Sequence, residues 1–173
     1  ISTPVGNYRM RIGGQDVGPA TPCYNGSYGS FEDYTLQVTA ACTAPATQAN
    51  TIVVGSISNS SASINWTNGS GAGRVVYINT TNSFTAPTNG TIPTANTVYA
   101  GGQQCIFSGT TSGPVTVSGL AASTTYWVRV YEYCTPGNNF QTATATGNAN
   151  SFTTAASCSP TGNPATYGNG SWI

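Results

Sequence analysis

Residues 124–134, Thr-Thr-Tyr-Trp-Val-Arg-Val-Tyr-Glu-Tyr-Cys, decide the fold. Apolar and polar positions alternate with period two, and β-branched and aromatic residues dominate, which reads as a long strand. One face carries Tyr126, Val128 and Val130 and continues into Glu132; the other carries Trp127, Arg129, Tyr131 and Tyr133. Toward the N-terminus the same period recurs at Val115–Ser118, Cys105–Ser108, Arg74–Asn79, Ser61–Thr67 and Ile52–Ile57, and toward the C-terminus at Thr146–Thr153. Residues 80–102, rich in Thr, Asn and Pro, break the pattern and read as an insertion. Seven short strands with turn signals and no helical period predict an all-β sandwich.

Outside this unit, Tyr34–Thr39 reads as a further strand after a Gly-rich turn region. Ala40-Ala-Cys42-Thr-Ala-Pro45 and Ala155-Ala-Ser-Cys158-Ser-Pro160 are similar small-residue strings, read here as seams. The expected organisation is a partial β-domain at 1–41, the sandwich at 42–156 and the start of a further domain at 157–173. On that reading the chain is a fragment of a longer protein.

Of the 173 residues only 5% are charged, four Lys or Arg against four Asp or Glu, with no histidine. Soluble domains average about 25% charged. All four cations are arginines (Arg9, Arg11, Arg74, Arg129). Neutral charge without lysine gives no electrostatic footprint for nucleic acid or anionic lipid. The absence of histidine excludes Ser-His-Asp and Cys-His catalysis and imidazole-based metal sites. No apolar run approaches the roughly 18 residues of a membrane helix, so no membrane insertion is expected within this stretch.

The five cysteines, Cys23, Cys42, Cys105, Cys134 and Cys158, form no CxxC pair. Spaced cysteines in a lysine-free, Thr-rich chain point to disulfides and an extracellular or cell-surface compartment. Cys105 and Cys134 both fall in the central unit, and a bridge between them is the favoured pairing. Cys23 and Cys42 bracket the Tyr34 strand and are candidates to close the first domain, leaving Cys158 to pair beyond the chain. Alternatively the two seam cysteines each pair forward, or the thiols stay free and buried as small hydrophobes.

The string Ser63-Ile-Asn-Trp66-Thr-Asn-Gly, with Val117-Ser-Gly-Leu120 and Thr124-Thr-Tyr126-Trp-Val-Arg-Val130, resembles a fibronectin type III domain over about 110 residues. Tyr126, six residues after Leu120, matches the tyrosine-corner position, whose hydroxyl ties the strand to upstream backbone. Trp66-Thr-Asn-Gly-Ser-Gly-Ala-Gly-Arg-Val-Val, Pro87-Thr-Asn-Gly-Thr and Val130-Tyr-Glu-Tyr133 resemble the variant common in secreted multidomain proteins of Bacteroidetes-type bacteria. Tyr8-Arg-Met-Arg-Ile12, Pro22-Cys23 and Tyr28-Gly-Ser-Phe-Glu-Asp-Tyr34 resemble the C-terminal part of a GEVEDY-type domain: Glu32, Asp33 and Tyr34 fit, Ser30 and Phe31 depart. The tail Tyr167-Gly-Asn-Gly-Ser-Trp172-Ile is similar to the opening of other modules in such proteins. The resemblance implies a surface adhesin, or the accessory region of a secreted enzyme, exported by the type IX route, and no catalytic role for the modules themselves.

The carboxylates are Asp16, Glu32, Asp33 and Glu132. Neighbours on a strand face opposite ways, so Glu32 and Asp33 cannot act as a facing acid–base pair. Asp33 with loop carbonyls is a candidate calcium ligand, against a plain structural role bound to backbone or arginine; no metal or cofactor is assigned. Glu132 continues an apolar face, where an unpaired charge is costly. Arg74 is its candidate partner, unless the strand end already lies in solvent. The opposite face, Trp127, Arg129, Tyr131 and Tyr133, is a candidate stacking platform for sugar rings or a protein, with Arg129 over Trp127 or Tyr131. The competing readings are that the insertion folds over it or that aromatics simply suit the strand. Seven Asn-x-Ser/Thr sequons occur, at Asn25, Asn59, Asn65, Asn68, Asn79, Asn89 and Asn169, several of them expected by chance in this composition.

The expected function is noncatalytic: a disulfide-clipped structural or adhesive module of an adhesin or surface filament, its partners being neighbouring modules or like chains. Low charge favours side-by-side packing of such modules. The alternative is the accessory region of a secreted hydrolase, holding polysaccharide on the aromatic face.

Overall fold

A computed structural model describes residues 3–15 and 29–157. Asp16, Cys23, Asn25, Cys158, Asn169 and the tail from Tyr167 lie outside the described residues. The chain divides into two compact units, 1–42 and 43–173.

The first unit is an antiparallel ribbon of β1 (Gly6–Gln15) and β2 (Gly29–Val38). Strand β2 is longer than the expected Tyr34–Thr39. Register pairs Tyr8 with Leu36, Met10 with Tyr34 and Ile12 with Glu32. Alternation therefore gathers Tyr8, Met10, Ile12, Tyr34 and Leu36 on one face. Arg9, Arg11, Phe31 and Asp33 occupy the other, where Arg11 pairs with Asp33. Met10, Ile12, Tyr34 and Leu36 are exposed within this unit.

The second unit is all-β, with no helix among the described residues. Strands β3 (Asn50–Gly55), β4 (Ser61–Thr67) and β7 (Val115–Ser118) form a three-stranded sheet in the order β3-β4-β7. Strands β5 (Gly73–Asn79), β6 (Gln104–Gly109), β8 (Thr125–Tyr133) and β9 (Asn150–Thr153) form a second sheet, β6-β5-β8-β9. The sheets pack face to face as a sandwich. Every second residue of β4, namely Ala62, Ile64 and Trp66, is buried, as are Val76 and Ile78 of β5 and Tyr126, Val128 and Val130 of β8. These side chains make one core, closed by Ile52, Ile106, Val117, Leu120 and Phe152.

An antiparallel sheet commonly leaves one face wet, but the four-stranded sheet here is covered on both faces over β5 and the Tyr131–Tyr133 end of β8. Strand β5 is buried at every position from Gly73 to Ile78. Its outer face carries a second cluster of Val75, Tyr77, Cys105, Tyr131, Tyr133 and Phe140, against which Phe84 and Ile92 of the insertion pack. Two glutamine amides pin the insertion down. Gln103 exchanges hydrogen bonds with both backbone groups of Thr85, at 2.6 and 2.7 Å. Gln104 donates to the carbonyls of Asn96 and Val98 and accepts from Ala100 N–H.

Strand β9 is shorter than the expected Thr146–Thr153. Gly147 takes φ +66°, and the carbonyls of Thr146 and Gly147 turn toward β3, where they accept from the N–H of Thr51 and Ile52. The amide of Asn148 then stands in for strand backbone beside β8: Oδ1 accepts from Val130 N–H, and Nδ2 donates to Val130 O and Ala49 O.

Candidate functional site: a buried polar clasp and a covered aromatic face

Strands β5 and β8 pair in a register that sets Arg74 directly opposite Glu132. Arg74 is 3% exposed and Glu132 not at all, so both charges need internal partners. The guanidinium grips the carboxylate with two N–H groups, Nε to Oε1 at 3.2 Å and Nη2 to Oε2 at 3.3 Å. Nη1 donates to the carbonyls of Thr110 and Thr111, and Nη2 also to Gly71 O. The five donors of an arginine are thereby all used. The carboxylate accepts two more bonds, from Gly69 N–H at 2.9 Å and Gly71 N–H at 3.1 Å. A Cβ on Gly71 would lie 2.4 Å from Glu132 Oε2, and one on Gly69 2.3 Å from Thr47 O. Glycine is required at both positions for the β4–β5 loop to come this close.

The same strand end carries a second polar group that the sequence reading missed. Gln48 is 6% exposed; its Oε1 accepts from Glu132 N–H and Ala49 N–H, and its Nε2 donates to Gln141 O at 2.6 Å. Gln141 in turn donates from its backbone N to Glu132 O and from Nε2 to Pro45 O. Nothing in an Asn-, Gln- and Thr-rich sequence sets Gln48 or Asn148 apart from solvated neighbours.

The candidate platform of Trp127, Arg129, Tyr131 and Tyr133 gives way to the competing reading of a covered face. Tyr131 and Tyr133 are buried in the second cluster; Tyr77 meets Tyr131 edge-on at 5.9 Å, and Phe140 lies 5.4 Å from Tyr133. The insertion supplies the cover, so no open row of aromatics faces solvent. Arg129 stacks on Tyr131 with its guanidinium carbon 4.9 Å from the ring centre, and its Nη2 donates to Thr142 O. Trp127 is half-buried at the β9 side, opposite Ser151. Beside the cluster, Tyr77 walls a hollow of about 270 Å³ lined also by Thr85, Pro87, Pro93 and Gln103, with no charged group.

Burial pushes the Tyr77 hydroxyl up to about 12, with Cys105 and Tyr131 adding smaller contributions. Burial also raises Tyr131 and the Cys105 thiol. In each case the folded chain holds its proton more tightly than the unfolded chain. The stability Tyr77 contributes is therefore complete below pH about 10 and is lost as pH rises toward about 12. Urea titrations at pH 8 and pH 11 should show a lower midpoint at pH 11.

The Cys105–Cys134 bridge is also corrected: Cys105 is a free, buried thiol, while Cys42 and Cys134 are disulfide-bonded. Cys105 stands opposite Tyr77, which stands opposite Arg129. Cys134 lies two strands over and five residues further along, roughly 19 Å away at ordinary strand spacings, whereas a disulfide needs Cα atoms within about 7 Å. Cys105 Sγ donates instead to Phe107 O. A buried, protonated thiol is a poor nucleophile. Iodoacetamide should label Cys105 in the native chain at least about 100-fold more slowly than in urea, read by peptide mass.

Tyr126, 2% exposed, accepts from Ala121 N–H at 2.9 Å through its hydroxyl. The ring stacks on Phe152 and meets Tyr99 edge-on. Tyr126→Phe should cost about 1–2 kcal/mol in denaturant titration, since it leaves the Ala121 N–H without an acceptor.

In the ribbon, Asp33 accepts from Arg11 Nε and Nη2 at 2.7 and 2.9 Å, with Arg9 at 3.9 Å. The hydrogen bonds from Arg11, with its charge and that of Arg9, hold the Asp33 carboxyl below its ordinary value, against a smaller opposing effect of burial. Both oxygens of the candidate calcium ligand are thus engaged by arginine. Glu32 faces the other way and accepts from Tyr34 Oη. Among the described residues no three His, Cys, Asp or Glu side chains gather as a metal-binding group. Of the sequons, Asn68 Oδ1 accepts from Trp66 Nε1 and Asn89 Oδ1 from Phe140 N–H.

Residues 1–37 match the GEVED domain model. No curated protein matches the chain. Among solved structures, the chain is similar to a computationally redesigned β-sandwich protein, at 18% identity over 64% of this chain and 91% of that one, with a TM-score of 0.44. It is similar to the fibronectin type III domain of human fibronectin type III domain containing protein 3, at 17% identity over 73% and 100% of the two chains, with a TM-score of 0.44. Domains A168–A170 of titin match at 17% identity over 72% of this chain and 37% of that one, with a TM-score of 0.42. The chain thus pairs a GEVED match in its first 37 residues with an all-β sandwich that is similar to fibronectin type III domains.

Proposed function

We propose that the chain is a noncatalytic structural module of a large extracellular or cell-surface bacterial protein, serving as a spacer in an adhesin or filament exported by the type IX route. One observation carries the reading. The sandwich begins at the Tyr133 end of β8, where Pro45 and Gln48 bond Gln141 and Glu132. It finishes at the Thr125 end, where Ala155 bonds Ser58 and Ser123. Chain therefore joins the domain at opposite poles, about 27 Å apart along a nine-residue strand, as modules threaded in a line require. The disulfide-bonded state of Cys42 and Cys134 accords with an oxidising compartment. Burial of Tyr131 and Tyr133 weighs against the alternative of a polysaccharide-holding accessory region. Neighbouring modules or like chains are the proposed partners.

The test is immunological. Antibodies raised against the folded chain should label intact cells of the source bacterium and detect a band far larger than this chain. Signal confined to the cytoplasmic fraction would overturn the proposal.

A further inference from the structure

The insertion that covers the aromatic cluster leaves a hollow beside Tyr77. Tyr77 is 8% exposed, and its ring meets Tyr131 edge-on. A buried tyrosine hydroxyl ordinarily finds a hydrogen-bond partner, but Tyr77 Oη bonds no described residue. Among the described residues Arg129 Nε is the one side-chain polar atom sealed from solvent without a partner. Tyr77 Oη is therefore not sealed; it opens on the hollow.

The remaining walls are uncharged and already in place. Thr85, Thr88 and Thr91 bring hydroxyls, and Pro87 and Pro93 bring rigid apolar rings. Gln103 is fixed on both backbone groups of Thr85, and Thr91 N–H donates to Thr88 O at 3.3 Å. Little conformational freedom is left for a ligand to remove.

We infer that this hollow holds one ring of a neutral, polyhydroxylated ligand, a single unit of an uncharged glycan. Its volume of about 270 Å³ lies just under the range of roughly 300–1,000 Å³ usual for drug-sized ligands, so it admits one ring and not a chain. A carboxylate or ammonium entering it would lose water without gaining a counter-charge. Burial raises the Tyr77 phenol to about 12, so it stays a neutral donor and acceptor. Hydroxyls that both donate and accept suit a ring of alcohols, and the prolines meet its C–H faces. The inference rests on the reading of the chain as part of an adhesin. One shallow contact of this size binds weakly, with Kd on the order of 1 mM, but modules repeated in one surface protein would bind through many at once.

The test is sugar titration of the isotope-labelled full chain, followed by amide NMR shifts. Glucose, galactose, mannose, fucose and N-acetylglucosamine are the neutral probes, and glucuronate is the charged one. At least one neutral sugar should shift the amides of Thr85, Thr88 and Gln103 saturably, with Kd on the order of 1–10 mM, and glucuronate should not. Tyr77→Phe should weaken that binding about three- to tenfold, for one hydrogen bond lost. Its urea midpoint at pH 8 should be unchanged, since Oη bonds no described residue. Thr88→Trp, at an exposed position, should fill the hollow and abolish binding, also with an unchanged urea midpoint. The inference is overturned if none of the neutral sugars gives saturable shifts at these residues, if glucuronate binds equally well, or if Tyr77→Phe binds like wild type. Shifts of the same residues that grow with protein concentration alone would make a second copy the occupant and overturn it too. None of these outcomes touches the surface location, which antibody labelling measures separately.

Discussion

Glu132→Ala is expected to lower the stability of the sandwich by about 3–5 kcal/mol, the usual cost of stripping a buried charge of its partner. The stranded group is Arg74, 3% exposed, which keeps its carbonyl contacts to Gly71, Thr110 and Thr111 but loses its counter-charge. Gly69 and Gly71 simultaneously lose the acceptor for their N–H groups, adding about 1–3 kcal/mol for each that stays dry. Folded domains are stable by about 5–15 kcal/mol, so the variant should lose a large part of that margin and unfold at a markedly lower urea concentration. Urea titration by tryptophan fluorescence is the measurement. A double variant, Arg74→Met with Glu132→Leu, removes both charges and should recover part of the loss but not all of it, since no apolar side chain can accept from the two glycines. Equal stability of wild type and Glu132→Ala would show that the clasp is solvated.

Tyr131→Ala should cost about 3–5 kcal/mol, in the range for emptying a buried aromatic site. The ring is 1% exposed, packed between Tyr77 and the Arg129 guanidinium. Its loss removes the surface on which the insertion rests, so limited proteolysis should cut within residues 80–102 far faster in the variant than in wild type. An open binding platform predicts the contrary: a near-neutral substitution and an unchanged digest.

Where strand period decides an outcome, the chain is readable without coordinates. Alternation along 126–133 separates Tyr126, Val128 and Val130 from Arg129, Tyr131 and Tyr133, and the usual side-by-side order of these sandwich strands makes Arg74 a candidate partner for Glu132. Period says nothing about what lies over a face. Phe84 and Ile92 are isolated apolar residues in a polar stretch, and only their packing on the second cluster shows that the stretch is a cover. Cysteine pairing failed for a related reason: membership of one unit does not fix spacing, and the register puts two strands and five residues between Cys105 and Cys134. The amides of Gln48 and Asn148 were invisible because their task is to imitate backbone, and side-chain type carries no signal for that.

The covering insertion also changes where the chain can tolerate a difference in length. Connections are ordinarily the segments that accept additions and deletions, and 80–102 is a long one. Here it forms a third layer on the sheet, pinned through Gln103 and Gln104, so trimming or lengthening it near Phe84 or Ile92 would uncover Tyr77 and Tyr131. The exposed turn at 135–137, just beyond β8, is the better place to graft a peptide, a tag or a guest domain.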